Sequence, residues 1–387
     1  MNIYDDVLRE YQRSGIDGLR EGFANGHKRQ VLVVPTGGGK TEMACAIAQL
    51  AKSRGNRMWF VVDRKVLSTQ TKARFESYGL TCSLLQGENT EMVADADVVV
   101  ATVQTLRSRT KMPDGNFNFS MFDADLIVID EVHYFHDFHR TMLDEREVFA
   151  IGLSATPHNE SLGLYFSNVV APVTVAELIS QGYLVPFKVF QPTEVDLEGV
   201  RFQRGDFVEA DLEEKMTAIV GDVVTHWMKL GERRPTIAFC VNVKHAQELA
   251  QEFERNGIAS GVVTGGTPDD EREELYKKLK EGHIRVLTSV YVLGVGFDLP
   301  EASCAILARP TASEALHIQQ CGRIARPAVN KTDALVLDHA GNTLRHGLPQ
   351  NYAPPPLDEV DSRTRSQRNP KEKHAIRCSE CKYVMEP

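Results

Sequence analysis

The run Val34-Pro35-Thr36-Gly37-Gly38-Gly39-Lys40-Thr41, directly after the apolar stretch Val31-Leu32-Val33, constrains the fold of this chain more than any other segment. An apolar strand, a glycine-rich loop and a helix in that order are the parts of a phosphate-binding unit in an α/β domain. Three successive glycines let the backbone curl until its N–H groups face phosphate oxygens. Lys40 has the reach for β- and γ-phosphates, and the Thr41 hydroxyl is placed to ligate Mg2+. The segment Glu42-Met43-Ala44-Cys45-Ala46-Ile47-Ala48 reads as a helix whose N-terminus adds its dipole to the anion site. The glycine that opens the common form of this loop is replaced by Val34. A plain turn from strand to helix needs neither the lysine nor the threonine, so a nucleotide site is the stronger reading.

A length of 387 residues exceeds what one core usually fills and predicts two domains. Hydrophobic content of 42% with 25% charged residues excludes a disordered chain, and no apolar run is long enough to cross a bilayer. Met1-Asn2-Ile3-Tyr4-Asp5-Asp6 is acidic and lacks the apolar segment of a signal peptide, which predicts a cytoplasmic protein with no membrane partner. Seven cysteines, scattered except for one close pair, suit reduced thiols. A net charge of −9 leaves no general attraction for nucleic acid, so any such contact must use a local patch or cleft.

Short apolar runs at 31–34, 58–62, 98–101, 126–129 and 151–153 alternate with helical patterns, which is the signature of a parallel sheet wrapped by helices. A second series follows at 236–240, 261–263, 286–288, 305–307 and 335–337. The fold class is therefore α/β, with two such domains in tandem. The join falls between Pro157 and Gln191, where Pro172, Pro186 and Pro192 interrupt regular patterns. Working bounds are 1–165, 166–349 and a tail at 350–387. A helix is expected over 209–230, with Met216, Ile219, Val220, Val223, Val224 and Trp227 on a core-facing side. After Ala353-Pro354-Pro355-Pro356 the tail turns basic, with Arg363, Arg365, Arg368, Lys371, Lys373 and Arg377, and is expected to be extended or loosely packed.

The second chemical landmark is Leu126-Ile127-Val128-Ile129-Asp130-Glu131-Val132-His133, a buried strand ending in two carboxylates. Asp130 there suits a metal opposite the phosphate loop, and Glu131 suits polarising an attacking water. Alone, such a pair is more often a solvated helix cap; a phosphate loop a few βα units upstream reverses that balance.

Taken together these residues resemble the superfamily 2 helicases of the DExH type, over nearly the whole chain. Asp130-Glu131-Val132-His133 is similar to motif II, Gly152-Leu153-Ser154-Ala155-Thr156-Pro157 to motif III, and Gln319-Gln320-Cys321-Gly322-Arg323-Ile324-Ala325-Arg326 to motif VI. Leu8-Arg9-Glu10-Tyr11-Gln12 resembles the adenine-recognising motif. Asp63-Arg64 with Gln70 resembles motif Ia, Thr102-Val103-Gln104-Thr105 motif Ib, and the stretch from Thr288 to Asp298 motif V. Leu8–Gln12 and Asp338-His339-Ala340-Gly341-Asn342, followed by His346-Gly347, resemble the XPB-like branch of bacteria and phages.

The resemblance implies two RecA-like lobes with ATP and Mg2+ between them. Arg9, Gln12, Thr36, Gly37, Gly38, Gly39, Lys40, Thr41, Gly296 and Asp298 would bind nucleotide, and Thr41 and Asp130 the metal. Lys40, Glu131, Gln319, Arg323 and Arg326 would carry catalysis. Arg64, Gln70, Thr102, Gln104, Thr105, Thr264 and Thr288 would hold a strand, while His133, Ser154 and Thr156 would couple the two sites. The implied activity is a nucleic-acid-dependent ATPase that moves along or unwinds DNA, alone or with replication, recombination or repair proteins. An ATP-switched clamp or partner-binding ATPase, or an RNA helicase, are the alternatives; a restriction motor is a further one, against which stands the absence of a nuclease constellation.

Two clusters remain. His133, His136 and His139 with Asp137 have helical spacing, but a solvated loop or helix accounts for them better than a metal. Cys378-Ser379-Glu380-Cys381 has the spacing of a zinc half-site, to which His374 adds a third ligand where a closed site needs four. Part of a zinc ribbon and free thiols are both open readings.

Overall fold

The computed structural model describes residues 2–63, 65–119, 124–145, 147–159, 161–203, 205–291, 299–357 and 375–386, with 65–67 as backbone. The chain divides into two compact units, Met1–Thr174 with Ala353–Asn369, and Val175–Tyr352 with Pro370–Pro387.

In the first unit the strands are Arg29–Val33 (β1), Met58–Val62 (β2), Cys82–Gln86 (β3), Asn89–Glu91 (β4), Val98–Thr102 (β5), Leu126–Ile129 (β6), Phe149–Ser154 (β7) and Asn168–Val170 (β8). They form one sheet in the order β4-β3-β5-β2-β6-β7-β1-β8, parallel throughout except for the β3–β4 pair. Strands buried on both faces have no polar side to show, which is why β2 reads Met-Trp-Phe-Val-Val without alternation. Trp59, Ile127, Phe135, Phe138, Met142 and Phe166 belong to one core cluster on this sheet.

The second unit holds Phe187–Phe190 (β9), the small hairpin Phe202–Gln203 (β10) and Asp206–Phe207 (β11), then Thr236–Cys240 (β12), Ser260–Val263 (β13), Val286–Ser289 (β14), Cys304–Ala308 (β15), Ala334–Asp338 (β16), Ile376–Arg377 (β17) and Tyr383–Met385 (β18). Its large sheet runs β13-β14-β12-β15-β16-β9-β18-β17. The period of two is visible in its cores: Ile237, Phe239, Ala305, Leu307 and Val336 pack on one face, and Ala238, Cys240, Ile306, Ala308, Leu335 and Leu337 on the other.

All ten apolar runs read from the sequence are strands, and the α/β expectation holds. The helix expected over 209–230 is broken into Glu209–Thr217 and Val220–Leu230 around Ile219, whose ψ of 7° leaves the helical range. Its apolar residues do pack into the core, with Trp227 Nε1 donating to Thr236 Oγ1 at 2.8 Å. The tail is not loose where it is described. Leu357 packs on the core of the first unit, and β18 pairs antiparallel with β9 through Tyr383↔Phe190 and Val384↔Val189. Val384 is buried there and Arg377 is paired with Glu194, so Arg377 is part of a sheet edge rather than of a basic arm. The other basic residues of the tail lie outside the described residues. No helix among the described residues is long and apolar enough to cross a membrane.

Candidate nucleotide site and strand-facing residues

Parallel strands deliver their C-terminal ends to one edge of a sheet, where α/β folds bind ligands. In the first unit β6, β7 and β1 are adjacent, so the carboxylates after β6, Ser154 at the end of β7 and the loop after β1 share that edge. The Val34 N–H donates to Ser154 O at 3.0 Å and the Val132 N–H to Leu153 O at 2.9 Å, stitching both segments to β7. Gly152 permits the second approach, because a Cβ there would lie 2.8 Å from Val132 Cγ1.

Gly37 (φ 86°) and Gly39 (φ 83°) take left-handed backbone, and Gly39 opens the helix Lys40–Lys52. A Cβ on Gly39 would also lie 2.4 Å from Gln12 Nε2. The Gly38 N–H closes a turn onto Pro35 O, and the Gly38 carbonyl accepts from Tyr11 Oη at 2.8 Å and Gln12 Nε2 at 3.0 Å. Gln12 Oε1 in turn accepts the Arg9 N–H at 2.9 Å. Gln12 thus braces the phosphate loop with both ends of its amide, and Tyr11, which the sequence reading passed over, shares the task. Arg9 and Thr41 are exposed and Thr36 half-buried.

Lys40 Nζ stands 3.5 Å from Glu131 Oε1, each side chain 15% exposed. Asp130 is half-buried at the strand end; desolvation there first, then the neighbouring Glu131 carboxylate, pushes its carboxyl up to about 7, against the pull of Lys40 and of the Glu131 N–H at 3.0 Å. Glu131 has φ 48°, a left-handed conformation that a non-glycine residue keeps where its surroundings impose it. Its Oε2 lies 3.4 Å from His133 Nδ1, which is 3.1 Å from Ser154 Oγ; that hydroxyl accepts the Thr156 N–H at 3.0 Å. Burial pushes His133 down from its usual value, so it is neutral near pH 7. Lys40, Glu131, His133, Ser154 and Thr156 therefore form one connected line.

In the second unit Ser313 caps the helix Glu314–Gly322, its Oγ accepting the Leu316 N–H at 3.2 Å. Gln319 lies on this helix and Arg323 caps its C-terminal end, both nearly buried, while Arg326 follows in a bend and is half-buried. The loop leading into this helix is tied down by the Asp338–Asn342 segment. Asn342 Oδ1 accepts the Thr311 N–H at 3.0 Å and Asn342 Nδ2 donates to Arg309 O at 3.0 Å, while Asp338 accepts the Ala340 N–H at 2.9 Å and the Thr343 N–H at 2.6 Å. Arg64, Gly296 and Asp298 lie outside the described residues.

Of the strand-holding candidates, Gln70 and Gln104 are exposed, and Gln104 Nε2 donates to Asp63 O at 3.0 Å. Thr102 and Thr105 are buried with their hydroxyls 2.7 Å apart, and Thr105 Oγ1 accepts the Gly87 N–H, so they shape this segment from within. Thr264 is half-buried in a turn closed by its own N–H on Thr267 Oγ1 at 3.0 Å. Thr288 departs from the expectation: it is fully buried in β14, its hydroxyl donated to Ala246 O at 3.0 Å and Gly261 O at 3.2 Å, so it offers nothing to a strand. His139 departs too, being buried against Phe135 rather than solvated, with its Nδ1 accepting the His136 N–H at 3.0 Å. Among the described residues no three metal-ligating side chains come together. Cys378 and Cys381 are close, backbone N–H groups of Cys381 and Glu380 holding the Cys378 thiol below its usual value, and His374 lies outside the described residues.

Two family models match: "Type III restriction enzyme, res subunit" over residues 5–159 and "Helicase conserved C-terminal domain" over 217–328. The Saccharomyces cerevisiae protein named as ATP-dependent helicase IRC3 is 31% identical over 361 residues, covering 87% of this chain and 52% of its own, so the chain spans about half the length of that relative. Among solved structures, a fragment of an HsdR subunit of a type I restriction enzyme from Vibrio vulnificus superposes with a TM-score of 0.68 at 23% identity, covering 94% of this chain and 69% of that one. The DNA-bound type ISP restriction-modification enzyme LlaBIII gives 0.62 at 17% identity, over 89% and 28%. Both show the same RecA-like architecture. With the phosphate loop, the paired carboxylates and the arginines that follow the helix Glu314–Gly322 in the order observed, this chain carries the two matched domains of a superfamily 2 helicase.

Proposed function

We propose that the chain hydrolyses ATP with Mg2+ and uses the cycle to move along or unwind DNA, in replication, recombination or repair. The observation that carries this reading is the connected line from Lys40 through Glu131 and His133 to Ser154 and Thr156, beside Asp130. Lys40 holds the β- and γ-phosphates at the mouth of its helix. Glu131 orients the attacking water, and Arg323 and Arg326 supply positive charge to the transferring phosphoryl group.

A divalent cation fits Asp130 and Thr41, because a carboxyl that burial keeps near neutrality is ionised cheaply beside such a charge. Mg2+ there would neutralise charge on the phosphates. His133, as part of a DExH-type box, passes the state of Glu131 to Ser154 and so to the strand-facing edge. Gln12 acts first as a brace of the phosphate loop and reads adenine with its remaining N–H. Gln70, Gln104 and the Thr264–Thr267 turn grip phosphates, contacts that carry no sequence information. DNA is preferred to RNA because the sequence relatives include a type I restriction endonuclease subunit of Escherichia coli and a Sulfurisphaera tokodaii protein named as a DNA 3'-5' translocase, XPB2.

The test is ATP turnover measured without polynucleotide and with single-stranded DNA, duplex, fork and RNA, alongside displacement of a labelled strand. Stimulation with displacement is expected. Hydrolysis without displacement would identify an ATP-switched clamp, and a full basal rate indifferent to every polynucleotide would overturn the reading.

A further inference from the structure

At the C-terminal tips of the second sheet stands a small stack built on Tyr291, a residue inside the stretch that resembles motif V but given none of the roles above. Beyond the end of β14, Tyr291 takes φ 56° with its side chain about half exposed, at 52%. Left-handed backbone is an outlier for a bulky residue, and such strain gathers at functional sites. The Arg309 guanidinium lies 4.4 Å from the centroid of the tyrosine ring. Arg309 follows β15, which is separated from β14 by β12 alone, so the pair reaches across the strand tips.

That guanidinium is nearly buried, and a buried charge has to be paired. Asp206 Oδ2 is 3.3 Å away and Glu209 Oε1 3.8 Å. Asp206 is itself fixed, accepting the Thr311 hydroxyl at 2.9 Å and the Ala312 N–H at 2.7 Å. The β10–β11 hairpin exists to deliver it: Gln203 pairs with Asp206 across a turn in which Gly205 has φ 84°. A tyrosine placed for packing would be buried, and one placed at random on the surface would keep ordinary backbone. Tyr291 is instead held out by strain over an anchored cation.

We propose that Tyr291 is a stacking platform for a nucleobase, that of the strand bound along this edge, with Asp206 and Arg309 as positioning residues. The proposal rests on the nucleic-acid reading above. Every base has a π-face, so a ring serves a motor that must grip any sequence, while phosphate contacts supply the remaining hold. The Thr264–Thr267 turn, after β13 on the same sheet edge, lies where such a phosphate contact is needed. The adenine of ATP offers the same chemistry, and the experiment separates the two sources.

Binding of the full chain to oligo(dT) and to an abasic oligonucleotide of equal length is measured, with the KM for ATP without polynucleotide, for wild type, Tyr291→Ala and Tyr291→Phe. Melting temperatures establish that each variant is folded. Tyr291→Ala should weaken oligo(dT) binding by about tenfold, leave the abasic strand and the KM unchanged, and be rescued by phenylalanine. A raised KM with oligo(dT) binding intact would keep the platform and assign it to adenine. Equal loss on both oligonucleotides, or no loss in any arm, would overturn the platform. A wild type that binds neither strand would overturn the nucleic-acid reading, leaving the ATP arm to decide for the ring.

Discussion

The strand tips of the two units handle buried charge in opposite ways. In the first unit Asp130 and Glu131 stand side by side, their mutual repulsion and burial only partly offset by Lys40 at 3.5 Å, and Glu131 is held in left-handed backbone. In the second, Asp338 uses both oxygens on backbone N–H groups at 2.6 and 2.9 Å, and Asn342 fixes the neighbouring loop from two sides. The first arrangement is under-neutralised, which suits a site that gains a metal and phosphates during its cycle. The second is satisfied, which suits a loop that must stay still at the start of the helix Glu314–Gly322, whose C-terminal end leads into Arg323 and Arg326. Polar groups at the two sets of strand tips, half-buried in the first unit and fully buried in the second, thus mean different things according to whether their hydrogen bonds are complete.

The largest effect that tests this contrast is expected at Lys40. Lys40→Ala removes a cation from the under-neutralised site, so turnover should fall by roughly 10³ or more, on the scale of other phosphate-stabilising cations. The melting temperature should barely move, because the lysine lies at a helix mouth outside the core. Near-normal turnover would remove the phosphate loop from the site. Asp338→Ala should do the reverse. It strands two buried N–H donors and should cost about 3 kcal/mol of stability, seen as a lower melting temperature, while whatever protein stays folded hydrolyses ATP at close to the normal rate.

Acid should divide the units as well. Burial holds His317, His245 and His346 down at about 4 and His339 at about 3 in the second unit, against His139 at about 3 and His133, lowered as well, in the first. These folded values lie below the unfolded one, so the unfolded chain binds more protons at mildly acid pH. The histidines therefore contribute full stability above about pH 6.5 and lose it as pH falls toward 4, at up to about 1.4 kcal/mol per group per pH unit. Calorimetry between pH 7 and 5 should show the second unit melting earlier by the larger amount. Equal shifts in both units would show that these histidines do not govern the acid response.

How far the sequence reveals this contrast depends on whether a feature is local. The ten apolar runs are strands because a parallel strand covered on both faces needs continuous hydrophobicity, and that is legible one segment at a time. Cys82–Gln86 escapes because Ser83 interrupts it; in the fold Ser83 Oγ is bonded to the Val93 backbone. Phe187–Phe190 and Tyr383–Met385 escape because each is short and is covered by partners distant in sequence, β16 and β18 for the first and β9 for the second. The phosphate loop and the Asp130–His133 box are contiguous, so their chemistry can be read directly. Tyr11 reaching Gly38, and Asp206 reaching Arg309, join residues 27 and 103 positions apart and leave no local mark. Thr288, which the resemblance to motif V implies for holding a strand, instead spends its hydroxyl on Ala246 O and Gly261 O, because a motif's residue types do not tell whether a hydroxyl faces out or is already used by the backbone beside it.

The smallest effect expected is at the strained residue of the second unit. Tyr291 has φ 56°, a conformation that costs an L-residue about 1–2 kcal/mol and glycine almost nothing. Glycine also loosens the unfolded chain, which takes back roughly 0.5–1 kcal/mol, so Tyr291→Gly should raise stability by a net amount below about 1 kcal/mol. Glu131→Gly should behave alike for stability, since Glu131 has φ 48°, yet abolish turnover. Denaturant melts of both variants decide the point. A stabilised Tyr291→Gly with normal basal turnover and weakened oligo(dT) binding would show that strain in the second unit serves the strand as strain in the first serves ATP. A destabilised Tyr291→Gly would mean that the ring's contact with Arg309 outweighs the backbone it distorts, and that the platform is held by attraction rather than against strain.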